Sequence, residues 1–439
     1  MTVLFLHPDL GIGGAERAIV DAAMAAKSIG YDVEIITNYH DHSHCFEETA
    51  NGTLKVTPVF QWLPRTTFGK ITAVWAFVKM VLAAIWICLF RRSQAELIFV
   101  DQVSAPLPIL RLFGFKTVFY GHFPDMLLAS HASTMRRAYR SFVDKFEELT
   151  TVVADVIVVN SNFTAETFKK TFKSLHSREL KVLYPVPNFD NLYLPPDVFE
   201  PPSSDAKSQP DLTLVKSKLT SVLVSTGKVI FLSINRYERK KNISLSLRSL
   251  ALLLKHWPEF VGDAAPGDIR PNDVQLVHVG GYDSRVKENV EHYRELFDLA
   301  DDLGISEQVT LLRSCTSDVK ALLIAASHAV IYTPHREHFG IVPIEAMFLW
   351  RPVIALNSGG PKETIIAGKT GFLCDCEPED KTVRDISGYM ARFIKEPELY
   401  KKLGLAAHEH VEKNFSNEAF KGQLRDIFSM VLDASDKSD

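Results

Sequence analysis

Short apolar runs recur along the chain and alternate with longer segments of helical periodicity. In the first half the runs fall at 3–7, 32–37, 54–60, 97–101, 116–120 and 156–160. In the second half they fall at 228–234, 274–279, 308–312, 329–333, 352–356 and 371–374. Helix-like segments separate most of them. That rhythm predicts βα units on parallel sheets, and its length predicts two such sheets. Between the halves, "LPPDVFEPPSSDAKSQPDL" (194–212) is rich in Pro, Ser and Asp and reads as a linker or surface insertion. The expected fold class is α/β, with two Rossmann-like doubly wound domains facing across a cleft. Ligands of such sheets bind at the C-terminal ends of the strands.

One apolar run breaks this rhythm. "ITAVWAFVKMVLAAIWICLF" (71–90) carries a single charge, Lys79, and is flanked by Arg65, Lys70, Arg91 and Arg92. By length it reaches across a bilayer. Strand-like runs lie on both sides of it, and a spanning helix would put half of one sheet in the other compartment. An interfacial helix, a re-entrant hairpin, a buried core helix and a span all remain open.

The 439 residues are 46% hydrophobic and 23% charged, the balance of a folded protein of two or three domains. A net charge of −4 gives no footprint for nucleic acid. Five cysteines without a C-x-x-C pair point to neither a disulfide framework nor a zinc site, and fit a reducing compartment. "MTVLFLHPDLG" lacks a basic leader region and reads as a first strand.

Chemistry collects where strands end. "HPDLGIGGAERA" places Gly11, Gly13 and Gly14 between the first strand and a helix, a turn that lets an anion approach free N–H groups. "FYGHFPD" puts His122 just past a strand. "FLSINRYERKKN" puts Arg236 and Lys241 after the first strand of the second half, where guanidinium and ammonium groups suit phosphates. Arg239 and Lys240 read as a solvated basic loop. "VHVGGYD" (Gly280, Gly281) and "ALNSGGPKETI" (Gly359, Gly360) follow strands too, each expected to bring backbone close to a ligand. His40, His42 and His44 alternate, a metal-binding pattern on a strand that a polar loop also explains. No D-x-D pair is present, so Arg236 and Lys241 would take the place of a metal on a diphosphate, and no metal is expected.

"HREHFGIVPIEAM" (335–347) sets Glu337 and Glu345 around Phe339, Gly340, Ile341, Val342, Pro343 and Ile344. A buried carboxylate is costly unless paired. Gly340 is expected to let backbone approach phosphates, Pro343 to start a helix, and the apolar residues to pack it on the sheet. With no ligand bound, at least one glutamate is expected to be solvated or to face a cation.

Together the glutamate pair, the Arg236/Lys241 pair, the G-x-G-G turn and "SGGPKE" resemble the retaining glycosyltransferases of family 4, with the GT-B fold. "HPDLGIGGAERAIVDAA", "VDQVSAPLPIL", "FYGHFPDMLL", "VVNSNFTAETF" and "TPHREHFGIVPIEAM" resemble more closely the eukaryotic alpha-1,3/1,6-mannosyltransferases of the dolichol-linked N-glycan pathway. The resemblance implies an acceptor domain at 1–200, a linker at 201–226, a GDP-mannose domain at 227–410 and a closing helix, 411–439, returning to the first domain. It implies GDP-mannose as donor without a cofactor, and a dolichol-diphosphate oligosaccharide as acceptor. It places the enzyme on the cytosolic face of the endoplasmic reticulum membrane, with other transferases of the pathway as partners. By the same analogy Arg236, Lys241, Gly280, Gly340, Ile341, Val342 and Glu345 hold the donor. His122, Glu337, Arg236 and Lys241 serve catalysis, and Gly11, Gly13 and Gly14 form an acceptor or phosphate loop. Another nucleotide sugar or lipid acceptor, and a silent binding or scaffold protein, are the competing readings.

Overall fold

The computed structural model describes residues 1–64, 66, 72–124, 127, 134–192, 194, 212–219, 228–262 and 265–433. Most of the stretch expected as a linker lies outside the described residues, as do Arg65, Lys70 and Ile71. The chain divides into two units, Met1–Val186 with Ser416–Asp439, and Pro187–Phe415.

The first unit holds a parallel sheet of β1 (Thr2–His7), β2 (Asp32–Thr37), β3 (Lys55–Pro58), β4 (Leu97–Asp101), β5 (Lys116–Gly121), β6 (Val156–Val159) and β7 (Lys181–Val182), in the order β3-β2-β1-β4-β5-β6-β7. The order reverses between β1 and β4, the switch point where doubly wound sheets bind ligands. Strand residues alternate between the two faces. On one face Leu4, Leu6, Ile98 and Val100 meet Met80, Ala83, Ala84 and Ile87 of the helix Thr72–Phe90. On the other, Phe5 lies 5.2 Å from Phe99, and Phe99 meets Phe428 of the helix Asn417–Asp433 at 6.3 Å.

The second unit repeats the winding with β8 (Val229–Ile234), β9 (Val274–Gly280), β10 (Val309–Arg313), β11 (Ala329–Tyr332), β12 (Val353–Leu356) and β13 (Gly371–Cys374), in the order β10-β9-β8-β11-β12-β13. Its switch point lies between β8 and β11.

The unit boundaries fall elsewhere than the resemblance implied, and packing gives the reason. Residues 187–194 join the second unit, where Phe189 lies 4.2 Å from Phe348. Inside the expected linker, the helix Leu212–Leu219 buries Val215 and Leu219 completely, so this piece belongs to a packed unit. The helix Leu399–Asn414 also stays with the second unit, its His408 stacked on Trp350 at 3.9 Å.

The helix Thr72–Phe90 has two apolar faces. One is the core face just named. On the other, Val78, Ile85, Leu89 and Phe90 are exposed. Its basic flank is partly engaged: Arg91 pairs with Glu34 at 3.2 Å and lies over the Trp86 ring, and Arg92 lies over Phe113.

Candidate active site

In the second unit, β8 leads into Asn235–Tyr237 and a short turn, Arg239–Lys241. The hydroxyl of Thr333, just past β11, donates to the Lys241 carbonyl at 2.7 Å and fixes the turn beside the next strand. Lys241 Nζ then donates to Glu337 Oε2 at 2.6 Å. Glu345, on the helix Ile341–Phe348, is buried and accepts from Lys320 Nζ at 2.7 Å. Both glutamates of the apolar stretch therefore face a cation. Burial first, and then the charges of Glu337 and Glu345, push the hydroxyl of Tyr332 well above its ordinary pKa. The tyrosine stays a neutral donor between two carboxylates.

Arg236 and Lys241 take different partners. The Arg236 side chain is 63% exposed and pairs with Glu238 at 3.0 Å. Arg239 is exposed, as expected of a solvated basic loop, and it is engaged as well. Its backbone N–H donates to Glu288, and its guanidinium reaches Glu291 and Glu295 of the helix Lys287–Asp302. Three carboxylates thus fasten the turn that carries Lys241. Lys240 pairs with Glu238.

The strand-end glycines approach other loops of the site rather than open space for a ligand. A Cβ on Gly280 would lie 1.7 Å from the Asn235 carbonyl, so Gly280 seats the segment that carries Arg236. A Cβ on Gly359 would lie 2.2 Å from the Glu337 carbonyl, and one on Gly360 1.9 Å from that of Phe339. Gly360 N–H donates to Glu337 O at 2.8 Å. "SGGP" is therefore the bed on which the Glu337 loop lies. Gly340 has φ +84° and caps the 341–348 helix, its missing side chain accommodating the Tyr332 ring. Ile341 is 42% exposed and does not pack on the sheet as expected, while Phe339 and Ile344 are buried, Phe339 with its ring 6.0 Å from that of Phe415. It stands with Val342 at the helix start. Asn242, Ser314 and Arg336 hold left-handed backbone, disfavoured outside glycine, beside or near these residues.

In the first unit, Gly13 precedes the helix Gly14–Ser28. A Cβ on Gly13 would lie 2.2 Å from a Glu16 carboxylate oxygen, so the helix start offered to a phosphate already has an acid folded over it. A Cβ would fit freely at Gly14 and meet only loose contacts at Gly11. His122 Nε2 lies 2.9 Å from Asp101 Oδ1. His40 and His42 stack edge to face at 4.6 Å, and among the described residues no three His, Cys, Asp or Glu side chains converge as a metal site.

Residues 12–186 match the family described as Glycosyltransferase Family 4, and residues 217–410 that described as Glycosyl transferases group 1. The chain is 42% identical to the human alpha-1,3/1,6-mannosyltransferase ALG2, over 98% of this chain and 96% of that one. It is 41% identical to the mouse protein of that name, over 96% and 94%. The chain belongs to the alpha-1,3/1,6-mannosyltransferase family. Members of wider sugar-transferase groups share its fold, which is GT-B. Sucrose-phosphate synthase of Thermosynechococcus elongatus matches at TM-score 0.68 and 20% identity over 99% of both chains. The catalytic domain of Arabidopsis thaliana starch synthase IV matches at 0.70 and 15%, over 98% of this chain and 99% of that one.

In this family member two groups beside the site carried no motif. Lys320, on the helix Ser317–Ala326, is one, and the only sign of it was that a buried Glu345 needs a cation. Asp101 is the other, an acid closing the apolar run "LIFVD". Replacing Lys320 with Met should strand the Glu345 carboxylate and destabilise the protein by about 1–3 kcal/mol, with Lys320→Arg recovering most of it. Thermal unfolding measures this, and an unchanged Tm in Lys320→Met would show that the pair contributes nothing.

Proposed function

We propose that the protein transfers mannose from GDP-mannose to a mannosylated chitobiosyl-diphosphate-dolichol, adding an alpha-1,3 and then an alpha-1,6 mannose. The full-length likeness to relatives named alpha-1,3/1,6-mannosyltransferases carries this reading, because that name states the sugar and both linkages. The geometry supplies a way to do it. When donor enters, its diphosphate competes for Lys241, which exchanges the Glu337 carboxylate for phosphate oxygens, and Arg236 swings from Glu238 to join it. Their charges stabilise the leaving diphosphate. Glu337, released, accepts from mannose hydroxyls. Glu345 takes the ribose hydroxyls in place of Lys320, and the N–H groups at Gly340–Val342 face phosphate at the helix start. His122, at the C-terminal edge of the first sheet, serves the acceptor side.

The donor's alpha bond and the alpha products mean retention. Two carboxylates about 5 Å apart achieve this in retaining glycosidases. Here the acceptor hydroxyl attacks from the face that the diphosphate leaves, and the leaving phosphate takes its proton. Trapping a mannosyl ester on Glu337 would rule this out. The donor is tested by offering GDP-mannose and UDP-sugars in one assay. Turnover with GDP-mannose alone supports the reading, and turnover with a UDP-sugar instead replaces it.

The acceptor's polyisoprenoid keeps the reaction at the endoplasmic reticulum bilayer, on its cytosolic face, beside other transferases of the pathway. The exposed face of the helix Thr72–Phe90 is the surface for that contact. Its inner face is fixed on β1 and β4, so a span would pull a polar-edged sheet into hydrocarbon. An interfacial position needs only the outer residues. Leu89 and Phe90 are 68% and 59% exposed. Replacing both with Ser should lower co-flotation with anionic vesicles about tenfold or more, since each buries up to about 1.5–3 kcal/mol of side chain. Equal flotation of variant and parent would move the contact elsewhere.

A further inference from the structure

Three adjacent strands of the first sheet end on one buried carboxylate. His7 closes β1, Asp101 closes β4 and His122 follows β5. Asp101 is fully buried. Its Oδ2 lies 2.7 Å from His7 Nδ1 and its Oδ1 2.9 Å from His122 Nε2. An ionised carboxylate only accepts, so each imidazole gives it an N–H. The arrangement is one-sided. The His7 side chain is wholly buried, and its other nitrogen, Nε2, meets the Asp9 carbonyl at 3.1 Å. The His122 side chain is 23% exposed, and among the described residues Nδ1 has no protein partner. The His122 backbone is held as well, because Asn160 donates to its carbonyl at 3.2 Å. The Tyr120 ring stands edge-on to the imidazole at 4.9 Å.

We propose that Asp101, braced from behind by His7, is a positioning residue that keeps the inner nitrogen of His122 protonated and presents Nδ1 outward as a hydrogen-bond donor to a sugar hydroxyl of the acceptor bound at this sheet edge. This rests on the reading that His122 serves the acceptor side. The chemistry follows from the count of protons. With Nε2–H committed to Asp101, the neutral ring can only accept at Nδ1, and the imidazolium alone donates there.

The charges around the ring favour the imidazolium. Burial opposes it, but the Asp101 carboxylate and, after it, Glu16 on the helix Gly14–Ser28 raise His122 above its ordinary pKa. His7 acts on the ring only through Asp101. Tyr120 adds no charge, because burial and the nearby Asp101 and Asp21 push its hydroxyl up. Asp101 itself is held down to about 2: burial opposes its charge, and His122 and His7 outweigh burial.

The test has two arms. In the parent protein with 15N-labelled histidine, His122 should titrate above about 6.5, the ordinary value, with Nε2 protonated on both sides of the transition. A transition at or below that value, or a neutral ring protonated at Nδ1, overturns the proposal whether or not any variant folds. The second arm compares the pH profile of kcat/KM in the parent and in Asp101→Asn. Because His122 is raised and acts protonated, activity falls as pH rises through its pKa. Removing the Asp101 charge should move that alkaline limb to lower pH by about one unit or more. A variant that is merely less active, with the limb in place, would reduce Asp101 to a structural role. Full turnover in His122→Ala would instead sink the reading of His122, leaving the titration arm standing.

Discussion

Replacing Lys241 with Ala lowers kcat by about 10²–10³, the usual effect of removing one preorganised group that stabilises charge developing in the transition state. The lysine sits where two needs meet. In the protein without donor it neutralises Glu337 at 2.6 Å, and in the proposed mechanism it turns to the departing diphosphate. Removing it therefore leaves Glu337 without its partner and the leaving group without its cation. The two losses separate in experiment. Glu337→Gln removes the need for neutralisation but keeps Lys241, so donor binding survives while kcat falls. Lys241→Ala loses donor binding and kcat together. Arginine is a poor substitute, because a planar guanidinium cannot stand in for the compact ammonium point charge that Glu337 meets at 2.6 Å. Steady-state kinetics on the three variants check this, and near-parent turnover in Lys241→Ala would remove it from the site.

Replacing Gly360 with Ala damages the site by displacing the Glu337 loop. The new Cβ would lie 1.9 Å from the Phe339 carbonyl and 2.3 Å from its Cα, and backbone on both sides leaves neither partner free to move alone. The Glu337 loop must lift from its bed and break the bond from Gly360 N–H to Glu337 O. A displacement of about 1 Å at a catalytic group can cost about 10² in rate. The expected result is a fall in kcat of that size or more, with a lower Tm, since forced overpacking commonly costs about 1–3 kcal/mol. Gly422→Ala, on the helix Asn417–Asp433, is the control, because nothing stands within 4 Å of its added Cβ. Equal activity in Gly360→Ala and Gly422→Ala would show that the loop is not held as described.

What the sequence revealed depended on how local the signal was. The twelve longer strands could be read within a few residues, most of them because a buried strand needs an apolar run; β3 (Lys-Val-Thr-Pro) and β10 are only partly buried and were legible as parts of mixed runs. The two-residue β7, Lys181–Val182, has no such run, and its place comes from pairing with β6. The glutamate pair was visible because carboxylates in apolar surroundings demand an explanation. Their partners were less so: Lys241 stood in the strand-end motif, but Lys320 lies 25 residues before Glu345 with nothing around it to mark it. The glycines were visible as turns, but what they approach depends on tertiary packing. Gly280 and Gly360 meet neighbouring loops, which no local pattern could state. Asp101 was hidden by being the last residue of a strand, since its meaning arises only when β1, β4 and β5 lie side by side. The apolar segment 71–90 stayed ambiguous because hydropathy does not say which face of a helix is covered.

The most direct test is purified protein incubated with GDP-mannose and a phytanyl-diphosphate-linked acceptor bearing one mannose on chitobiose, with products resolved by linkage and anomeric form. The account predicts two successive products, the first carrying an alpha-1,3 mannose and the second an added alpha-1,6 mannose, both lost in Lys241→Ala. No transfer from GDP-mannose, or a product with a beta bond, would contradict it.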